Sequence, residues 1–509
     1  MLIRKEKMDL KTFYDIVIDK KTATINKKSL DNIDNCYNFL KNFSKDKIIY
    51  GINTGFGPMA QYKINSTNTT ELQYNLIRSH AAGTGQLISK ECIRASMLAR
   101  LNSLCLGNSA VNKDVVILLK KLINKNILPL IYEHGGVGAS GDLVQLAHIA
   151  LALIGEGEVY YNDKIEKTKV VFKKEKIKPI NIKLRDGIAI MNGTSVMTGI
   201  GLVNIIYTKR LLDWILICSS AINEIVCSYD DHFSFELNQS KTHFGQREIA
   251  KRMRNSLRNS KLIRKRDKYL YDKKVNGKSF FKDKIQEYYS LRCVPQILGP
   301  ALDTIINCEN ILIGEINSVN DNPVIDPKTK QVYHGGNFHG DYVSLEMDKL
   351  KLVVTKMTIL SERQLNFLLN PKLNNVLPPF INLGKNGLNF GMQGAQFTAT
   401  STTAENQMLS NSMYVHSIPN NNDNQDIVSM GANSSLICNK VINNAYEVLA
   451  IELIAIIQSI DFLKIDQKVC KKTRLMYDKI RNIVPKFKKD NTIYTNINEV
   501  KNYIISNDI

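Results

Sequence analysis

The stretch Tyr342–Leu369, YVSLEMDKLKLVVTKMTILSERQLNFLL, carries the pattern that decides the fold. Apolar residues recur along it at three- and four-residue steps, as at Leu350, Val353, Val354 and Met357. This spacing places them on one face of an α-helix. The segment is longer than an average globular helix, so its apolar face must be buried against other long helices.

Four further segments show the same periodicity and similar lengths: Val196–Tyr229, Pro295–Val319, Gly394–His416 and Lys440–Phe462. Five long amphipathic helices predict an antiparallel bundle over residues 196–509. Residues 1–195 differ, because short periodic segments alternate there with turn-rich loops, and Val159–Ile177 predicts a small hairpin. We therefore expect a mainly α protein, with a long antiparallel helical bundle at 196–509 and a smaller mixed α/β N-terminal region at 1–195.

Composition narrows the class of protein. The 509 residues are 44% hydrophobic and 23% charged, values that exclude a disordered chain. No apolar run reaches the roughly 20 residues that a bilayer span requires, so we expect no membrane partner. Met1–Leu10 lacks the apolar core of a signal peptide, and the nine cysteines form no CxxC pair. These observations favour a cytoplasmic protein with buried thiols.

The formal net charge of +20 raises the question of a nucleic-acid partner. The densest basic run is Lys251–Lys274, whose only aromatic residues are Tyr269 and Tyr271. So few aromatic side chains offer little surface on which bases could stack. We expect this run to be a solvated surface excursion, with no nucleic acid bound.

The segment His134–Leu143, HGGVGASGDL, is the most informative for chemistry. Its small residues indicate a tight loop, and Asp142 is suited to cap a helix that begins at Leu143. A second interpretation is that the nitrogen of Gly141 attacks the carbonyl carbon of Ala139. Loss of two waters, one of them from Ser140, would then leave the electrophile 4-methylideneimidazol-5-one. The tripeptide alone does not decide between these interpretations.

Other motifs accompany this loop in a fixed order. They are Tyr50-Gly51-Ile52-Asn53-Thr54-Gly55-Phe56-Gly57, Ser79-His80-Ala81-Ala82-Gly83, Met191-Asn192-Gly193-Thr194, Gln286, Tyr289-Ser290-Leu291-Arg292-Cys293, Asp321-Asn322-Pro323, Gly335-Gly336-Asn337-Phe338-His339 and Asn424-Gln425-Asp426. Together they resemble the aromatic amino acid ammonia-lyases and 2,3-aminomutases, a family that includes histidine and phenylalanine ammonia-lyases. The resemblance covers nearly the whole chain.

The resemblance implies a reaction and a prosthetic group. Ammonia would be removed from a small-molecule α-amino acid to give an α,β-unsaturated acid. The electrophile would be 4-methylideneimidazol-5-one formed from Ala139, Ser140 and Gly141, with no external cofactor and no metal. Such an electrophile makes the amino group leave more easily. Family members are usually homotetramers whose active sites draw residues from several subunits, so we expect a homotetramer.

The resemblance also implies roles for individual residues. Tyr50 would be the base that takes the β-hydrogen. Arg292 would bind the substrate carboxylate, because a guanidinium matches a carboxylate with two hydrogen bonds. Phe338 would be an apolar wall for the substrate ring. The residues expected around the prosthetic group and substrate are Asn192, Gln286 and Tyr289, the last of them as a catalytic residue.

Substrate choice depends on two positions. Ser79-His80 resembles the pair of histidine ammonia-lyases, in which the histidine contacts the substrate imidazole. Gln425 stands where those enzymes typically carry a glutamate, and a glutamine there is similar to the phenylalanine, tyrosine and aminomutase branches. We expect L-histidine first, giving trans-urocanate, and tyrosine or phenylalanine elimination or a 2,3-aminomutase second. A non-catalytic helical scaffold or basic binding protein is the alternative of another class.

Overall fold

Long helices dominate the chain, which the computed structural model describes for residues 1–4, 6–271, 279–281 and 284–509. Five of them lie where the periodicity predicts: Ser195–Ile225, Val294–Ile316, Asp341–Leu369, Gln393–Leu409 and Gly431–Leu463. The predicted class, a mainly α helical bundle with a smaller mixed region, is confirmed. Within the described residues, no helix is both long and apolar enough to cross a bilayer.

Two helix boundaries differ most from the prediction. The helix expected at Gly394–His416 ends at Leu409, because the backbone N–H groups of Met413 and Tyr414 donate instead to Asp348 Oδ2, at 2.7 and 2.8 Å. The helix expected from Lys440 begins earlier, at Gly431. Its first turns carry buried polar residues such as Ser434 and Ser435, which hide the apolar period.

The chain forms two compact units. The first comprises residues 1–206, 308–348 and 412–439, and the second comprises 207–307, 349–411 and 440–509, so the division falls within four of the long helices. The expected division at residue 195 rests on sequence texture and stays a prediction.

All strands of the described chain lie in the first unit. They form the parallel pair Leu2–Ile3 with Thr24–Ile25, the antiparallel pairs Thr84–Leu87 with Tyr132–His134 and Val324–Asp326 with Gln331–Tyr333, and a three-stranded sheet of Leu128–Pro129, Glu158–Tyr161 and Lys164–Lys167. The hairpin predicted at Val159–Ile177 is present only in its first half. Its second half is the helix Thr168–Lys174, whose Val171 and Phe172 are buried.

Shorter helices complete each unit. The first unit contains Leu10–Val17, Lys27–Phe43, Thr69–His80, Lys90–Leu104, Lys113–Asn124, Leu143–Leu153 and Asp186–Met191. The second contains Phe235–Gln239, Phe244–Ser256, Tyr289–Arg292, Pro371–Asn374, Lys471–Ile483 and Tyr494–Ser506. Short 3₁₀ turns occur at Ser44–Asp46, Gly57–Met59, Asp230–Phe233 and Pro379–Ile381, and a π-helical turn at Asp267–Tyr271.

The helix Lys90–Leu104 forms the centre of the first unit and is buried on all faces from Cys92 onward. Its Arg100 is fully buried and donates through Nη1 to Asn320 Oδ1 at 3.2 Å. A Cβ atom on Gly193 would lie only 2.5 Å from the same Nη1 atom. The core thus supports the backbone on which the predicted site is built.

The basic run Lys251–Lys274 is only partly a solvated excursion. Its first residues belong to the helix Phe244–Ser256, in which Met253 and Ser256 are buried. Arg254 donates through Nη1 to the carbonyl oxygen of Phe233 at 2.6 Å. Residues 272–274 lie outside the described part of the chain.

Candidate active site

The glycine-rich loop is held by backbone contacts that leave no room for side chains. The carbonyl oxygen of Gly138 accepts from Ser429 Oγ and from the backbone N–H of Gly340, both at 3.0 Å. A Cβ atom on Gly138 would lie 2.1 Å from Ser429 Oγ. Only glycine fits this contact, so the small residues of the motif have a packing reason.

Gly141 is packed even more tightly. Its φ is +71°, a conformation that favours glycine, and a Cβ atom there would lie 2.0 Å from the carbonyl oxygen of Gly193. The next residue, Asp142, donates its backbone N–H to the same carbonyl oxygen at 2.8 Å. The loop therefore runs against the Asn192-Gly193-Thr194 motif, which lies far from it in sequence.

Asp142 corrects one detail of the sequence prediction. It occupies the N-cap position before Leu143–Leu153, yet its side chain does not cap that helix. Its Oδ2 atom accepts from the backbone N–H groups of Val196 and Met197, at 2.8 and 3.0 Å, and so caps Ser195–Ile225 instead. Burial raises the pKa of Asp142 to about 7, against the effect of these two donors.

Ser140 is contacted by two amide side chains. Asn192 Nδ2 donates to its carbonyl oxygen at 3.2 Å, and Gln425 Nε2 donates to its hydroxyl oxygen at 2.9 Å. The backbone N–H of Asn322 donates to Asn192 Oδ1 at 2.8 Å, which fixes the orientation of the Asn192 amide. Both oxygen atoms of Ser140 thus face hydrogen-bond donors.

These contacts fit the predicted prosthetic group. The group needs an uncrowded nitrogen at residue 141, which Gly141 supplies at a place where a Cβ atom cannot fit. It also needs a donor at the carbonyl oxygen of Ser140, where negative charge would accumulate, and Asn192 supplies it. Ala139, Ser140 and Gly141 are therefore the residues that could form it.

Tyr50 faces the same loop region from a turn near the start of the chain. Its hydroxyl oxygen accepts from the backbone N–H of Gly57 at 3.0 Å, and its ring meets that of Phe56 edge-on at 6.0 Å. Buried Gln73 Nε2 donates to the carbonyl oxygen of Gly51 at 3.0 Å and fixes this turn. The Tyr50 hydroxyl is thus held in place by a backbone donor on a fixed turn.

His80 ends the helix Thr69–His80 and is half-buried. Its Nδ1 atom lies 3.0 Å from the carbonyl oxygen of Leu76 and 3.0 Å from Ser79 Oγ. Because a carbonyl oxygen only accepts, we assign the proton to Nδ1, which leaves Nε2 as an acceptor. Burial lowers the pKa of His80 and favours this neutral form.

Six of the predicted residues line one cavity of about 510 Å³ in the first unit: Tyr50, His80, Ser140, Asn192, Phe338 and Gln425. The cavity also has lining residues that the sequence argument missed, among them Leu72, Asn75, Leu76 and Ile188. The first three stand on the His80 helix at three- and four-residue steps before Ser79. Helical spacing from Ser79 could have identified them.

Three predicted residues lie in the second unit instead, and none of them lines this cavity. Gln286 and Tyr289 line another cavity, of about 630 Å³, together with Lys284 and Phe367. Tyr289 is 69% exposed, and the guanidinium of Arg292 lies 4.8 Å from the centre of its ring. One chain therefore gathers only part of the predicted site in a single cavity.

Known proteins resemble this chain over nearly its full length. The sequence profile of the family described as aromatic amino acid lyase matches residues 8–482. A tyrosine 2,3-aminomutase from Myxococcus fulvus is 36% identical over 464 residues, which cover 90% of this chain and 88% of that protein. A histidine ammonia-lyase from Caldanaerobacter subterraneus subsp. tengcongensis is 37% identical over 452 residues, covering 89% and 86%.

The fold gives the same result. The crystal structure of a tyrosine aminomutase from Streptomyces globisporus superimposes with a TM-score of 0.95 at 32% identity, covering 99% of this chain and 96% of that one. Relatives with different substrates in their names thus match at similar identity. The chain belongs to the aromatic amino acid lyase family and is a carbon–nitrogen lyase.

Proposed function

We propose that this enzyme eliminates ammonia from L-histidine and releases trans-urocanate. The observation that carries the proposal is His80, whose neutral ring presents Nε2 as an acceptor in the cavity that also contains Tyr50 and Ser140. A substrate imidazole N–H can donate to Nε2. The substrate side chain then pairs with a half-buried polar group, and a site that makes such a pair rejects analogues that lack the donor.

The residues of this cavity have separate roles in the elimination. Tyr50 accepts the β-proton through its hydroxyl oxygen, which the backbone N–H of Gly57 holds in position. When formed, 4-methylideneimidazol-5-one supplies the electrophile that makes the substrate amine a better leaving group. Asn192 keeps its amide donor on the carbonyl oxygen of Ser140, and Phe338 covers the substrate ring.

L-Tyrosine is the second candidate substrate, and Gln425 is the observation that favours it. None of the described residues that line the cavity is a carboxylate, and the Gln425 amide is occupied by Ser140 Oγ. An imidazolium therefore has no opposite charge to meet, whereas a phenol hydroxyl can donate to His80 Nε2 equally well. The outcome with tyrosine would be elimination or, as the name of the Myxococcus fulvus relative indicates for that protein, 2,3-aminomutation.

We further propose that a homotetramer completes the site. Gln286, Tyr289 and Arg292 would enter from a neighbouring subunit, with Arg292 binding the substrate carboxylate through two hydrogen bonds. The exposure of Tyr289 supports this, because an aromatic ring of a catalytic residue is otherwise rarely left in water.

The test is incubation of the purified enzyme with L-histidine, L-tyrosine and L-phenylalanine, without any added cofactor, followed by product analysis. We expect urocanate and ammonia from histidine. The intact mass should be lower than the sequence mass by two waters, roughly 36 Da. Turnover of tyrosine but not of histidine would reverse the order of candidates. An unshifted mass would favour the non-catalytic scaffold or binding protein.

A further inference from the structure

The basic run Lys251–Lys274 has no part in the chemistry described above, yet one of its arginines contacts the segment that carries Gln286 and Tyr289. Arg266 is half-buried, while its neighbours Lys265 and Asp267 are exposed. Its Nη1 atom donates to the carbonyl oxygen of Ile285 at 2.7 Å. That carbonyl oxygen belongs to the peptide bond that leads into Gln286.

The guanidinium of Arg266 is itself fixed from two sides. Its Nε and Nη2 atoms donate to Asp231 Oδ2 and Oδ1, at 2.5 and 3.2 Å, which is a two-point contact between planar groups. The same guanidinium lies 4.3 Å from the centre of the buried Tyr229 ring. A lysine could not reproduce this arrangement, because its ammonium has no planar fork.

Tyr229 extends the contact to the preceding peptide bond. Its hydroxyl group donates to the carbonyl oxygen of Lys284 at 3.1 Å. The backbone beside it pairs with the basic run, since Asp230 N–H donates to the carbonyl oxygen of Arg264 at 3.0 Å. Two consecutive carbonyl oxygens, those of Lys284 and Ile285, are therefore held by the same small group of residues.

The other end of the segment is held in the same manner. Buried Gln364 donates through Nε2 to the carbonyl oxygen of Ser290 at 2.7 Å. Between these two anchors, the side chains of Gln286 and Tyr289 are exposed. The backbone of the segment is thus fixed while its functional side chains project outward, which is the support that a precisely placed reactive group needs.

We propose that Arg266 is a positioning residue for the reaction. It fixes the backbone at Ile285 and so sets the direction in which Gln286 and Tyr289 project. This role rests on the proposed function, in which both side chains act on the substrate bound by a neighbouring subunit. It gives the basic run a use that depends on geometry and requires no nucleic acid.

The test compares Arg266→Gln with Lys265→Gln, which removes the same charge from an exposed neighbour. Amide hydrogen exchange over residues 284–292 and steady-state kinetics are measured on the full-length protein. For Arg266→Gln we expect exchange about tenfold faster and kcat about tenfold lower, with a smaller change in KM. Lys265→Gln should match the wild type, and the mass deficit of roughly 36 Da should persist in both variants.

Tyr229→Phe provides a second, milder variant should Arg266→Gln fail to fold. It keeps the ring under the guanidinium and removes only the donor to the carbonyl oxygen of Lys284, so exchange should become roughly two- to threefold faster.

Arg266→Lys should recover little of kcat, whereas full recovery would show that charge alone is needed and would overturn the proposal. So would equal exchange in Arg266→Gln and Lys265→Gln, or faster exchange with unchanged kcat. The exchange comparison uses no substrate, so it tests the backbone contact separately from activity. An inactive wild type would defeat the proposed function, whereas equal exchange in an active enzyme would defeat only the role of Arg266.

Discussion

The two cavities are built in opposite ways. In the first unit, Asn192 and Gln425 both donate to Ser140, and the backbone of Gly138, Gly141 and Gly193 is packed too tightly for an added side chain. In the second unit, the backbone of residues 284–292 is anchored while Tyr289 remains 69% exposed. The first arrangement is a set of mutual contacts within one unit, whereas the second combines an anchored backbone with exposed side chains. The difference shows that an exposed side chain can stand on a firmly held backbone.

The largest effect should come from the first cavity. Ser140→Ala removes the hydroxyl that leaves as water, so the electrophile cannot form, and we expect kcat to fall by more than about 10³-fold. Intact-mass measurement should show no loss of two waters relative to the variant sequence. Circular dichroism should match the wild type, since the Ser140 side chain only accepts one hydrogen bond from Gln425. Retained activity would remove the basis of the proposed mechanism.

Subunit mixing separates the two cavities directly. Ser140→Ala and Tyr289→Phe chains, each nearly inactive alone, are unfolded, mixed in equal amounts and refolded together. If each site takes Ser140 and Tyr289 from different subunits, about a quarter of the sites receive both intact residues by random assembly. Refolding each variant by itself is the control. Activity that stays at the level of the separate variants would mean that both residues act within the same chain.

Gln425→Glu tests how the first cavity chooses its substrate. A carboxylate next to Ser140 would attract an imidazolium, and it would lose the donor that Gln425 Nε2 now supplies. We expect the ratio of kcat/KM for histidine to that for tyrosine to rise about tenfold. Gln425→Ala serves as the matched variant that removes the amide without adding charge. If this ratio of kcat/KM values does not change, residue 425 does not determine which substrate is preferred.

The smallest effect concerns the charge of His80. Burial lowers the pKa of His80, so the folded state favours the neutral ring. The contribution of this neutral ring to the free energy of unfolding is present above the ordinary histidine pKa of about 6.5. It is lost as the pH falls below that value, because the folded protein then has to take up a proton on a half-buried ring. Protonation also removes the Nε2 acceptor. We expect KM to rise about threefold to tenfold between pH 7 and pH 5, and His80→Phe to show a flatter profile. If KM depends on pH in the same way in the wild type and in His80→Phe, His80 does not take part in substrate binding.

Local patterns predicted the helices well because their apolar periods are strong, as in Tyr342–Leu369. The same patterns predicted a helix that continues past Leu409, where the observed helix ends. The residues after Leu409 donate instead to Asp348, which lies far away in sequence. The Ala139-Ser140-Gly141 loop was recognisable from its order among other motifs. The side-chain contact of Asp142 could not be predicted, because the sequence of a good N-cap residue does not show which helix its side chain caps.

Long-range support was the part that sequence reasoning could not supply. The basic run looked like solvated surface, since nothing near Arg266 in the sequence indicates a contact with Ile285. Likewise, the gathering of Tyr50, His80 and Gln425 around one cavity depends on turns whose partners are set by packing. The ordered motifs predicted the chemistry through their resemblance to a known family, but the distances between the residues come only from the fold.

The contacts around Ser140 also bear on when the enzyme matures during synthesis. Gln425 lies 285 residues after Ser140, and Ser429 lies 291 residues after Gly138. A nascent chain that has emerged only as far as the glycine-rich loop lacks both constraints. If Ala139, Ser140 and Gly141 cyclise as proposed, ring closure should wait until most of the polypeptide has left the ribosome, so that chains released early would stay chemically inert.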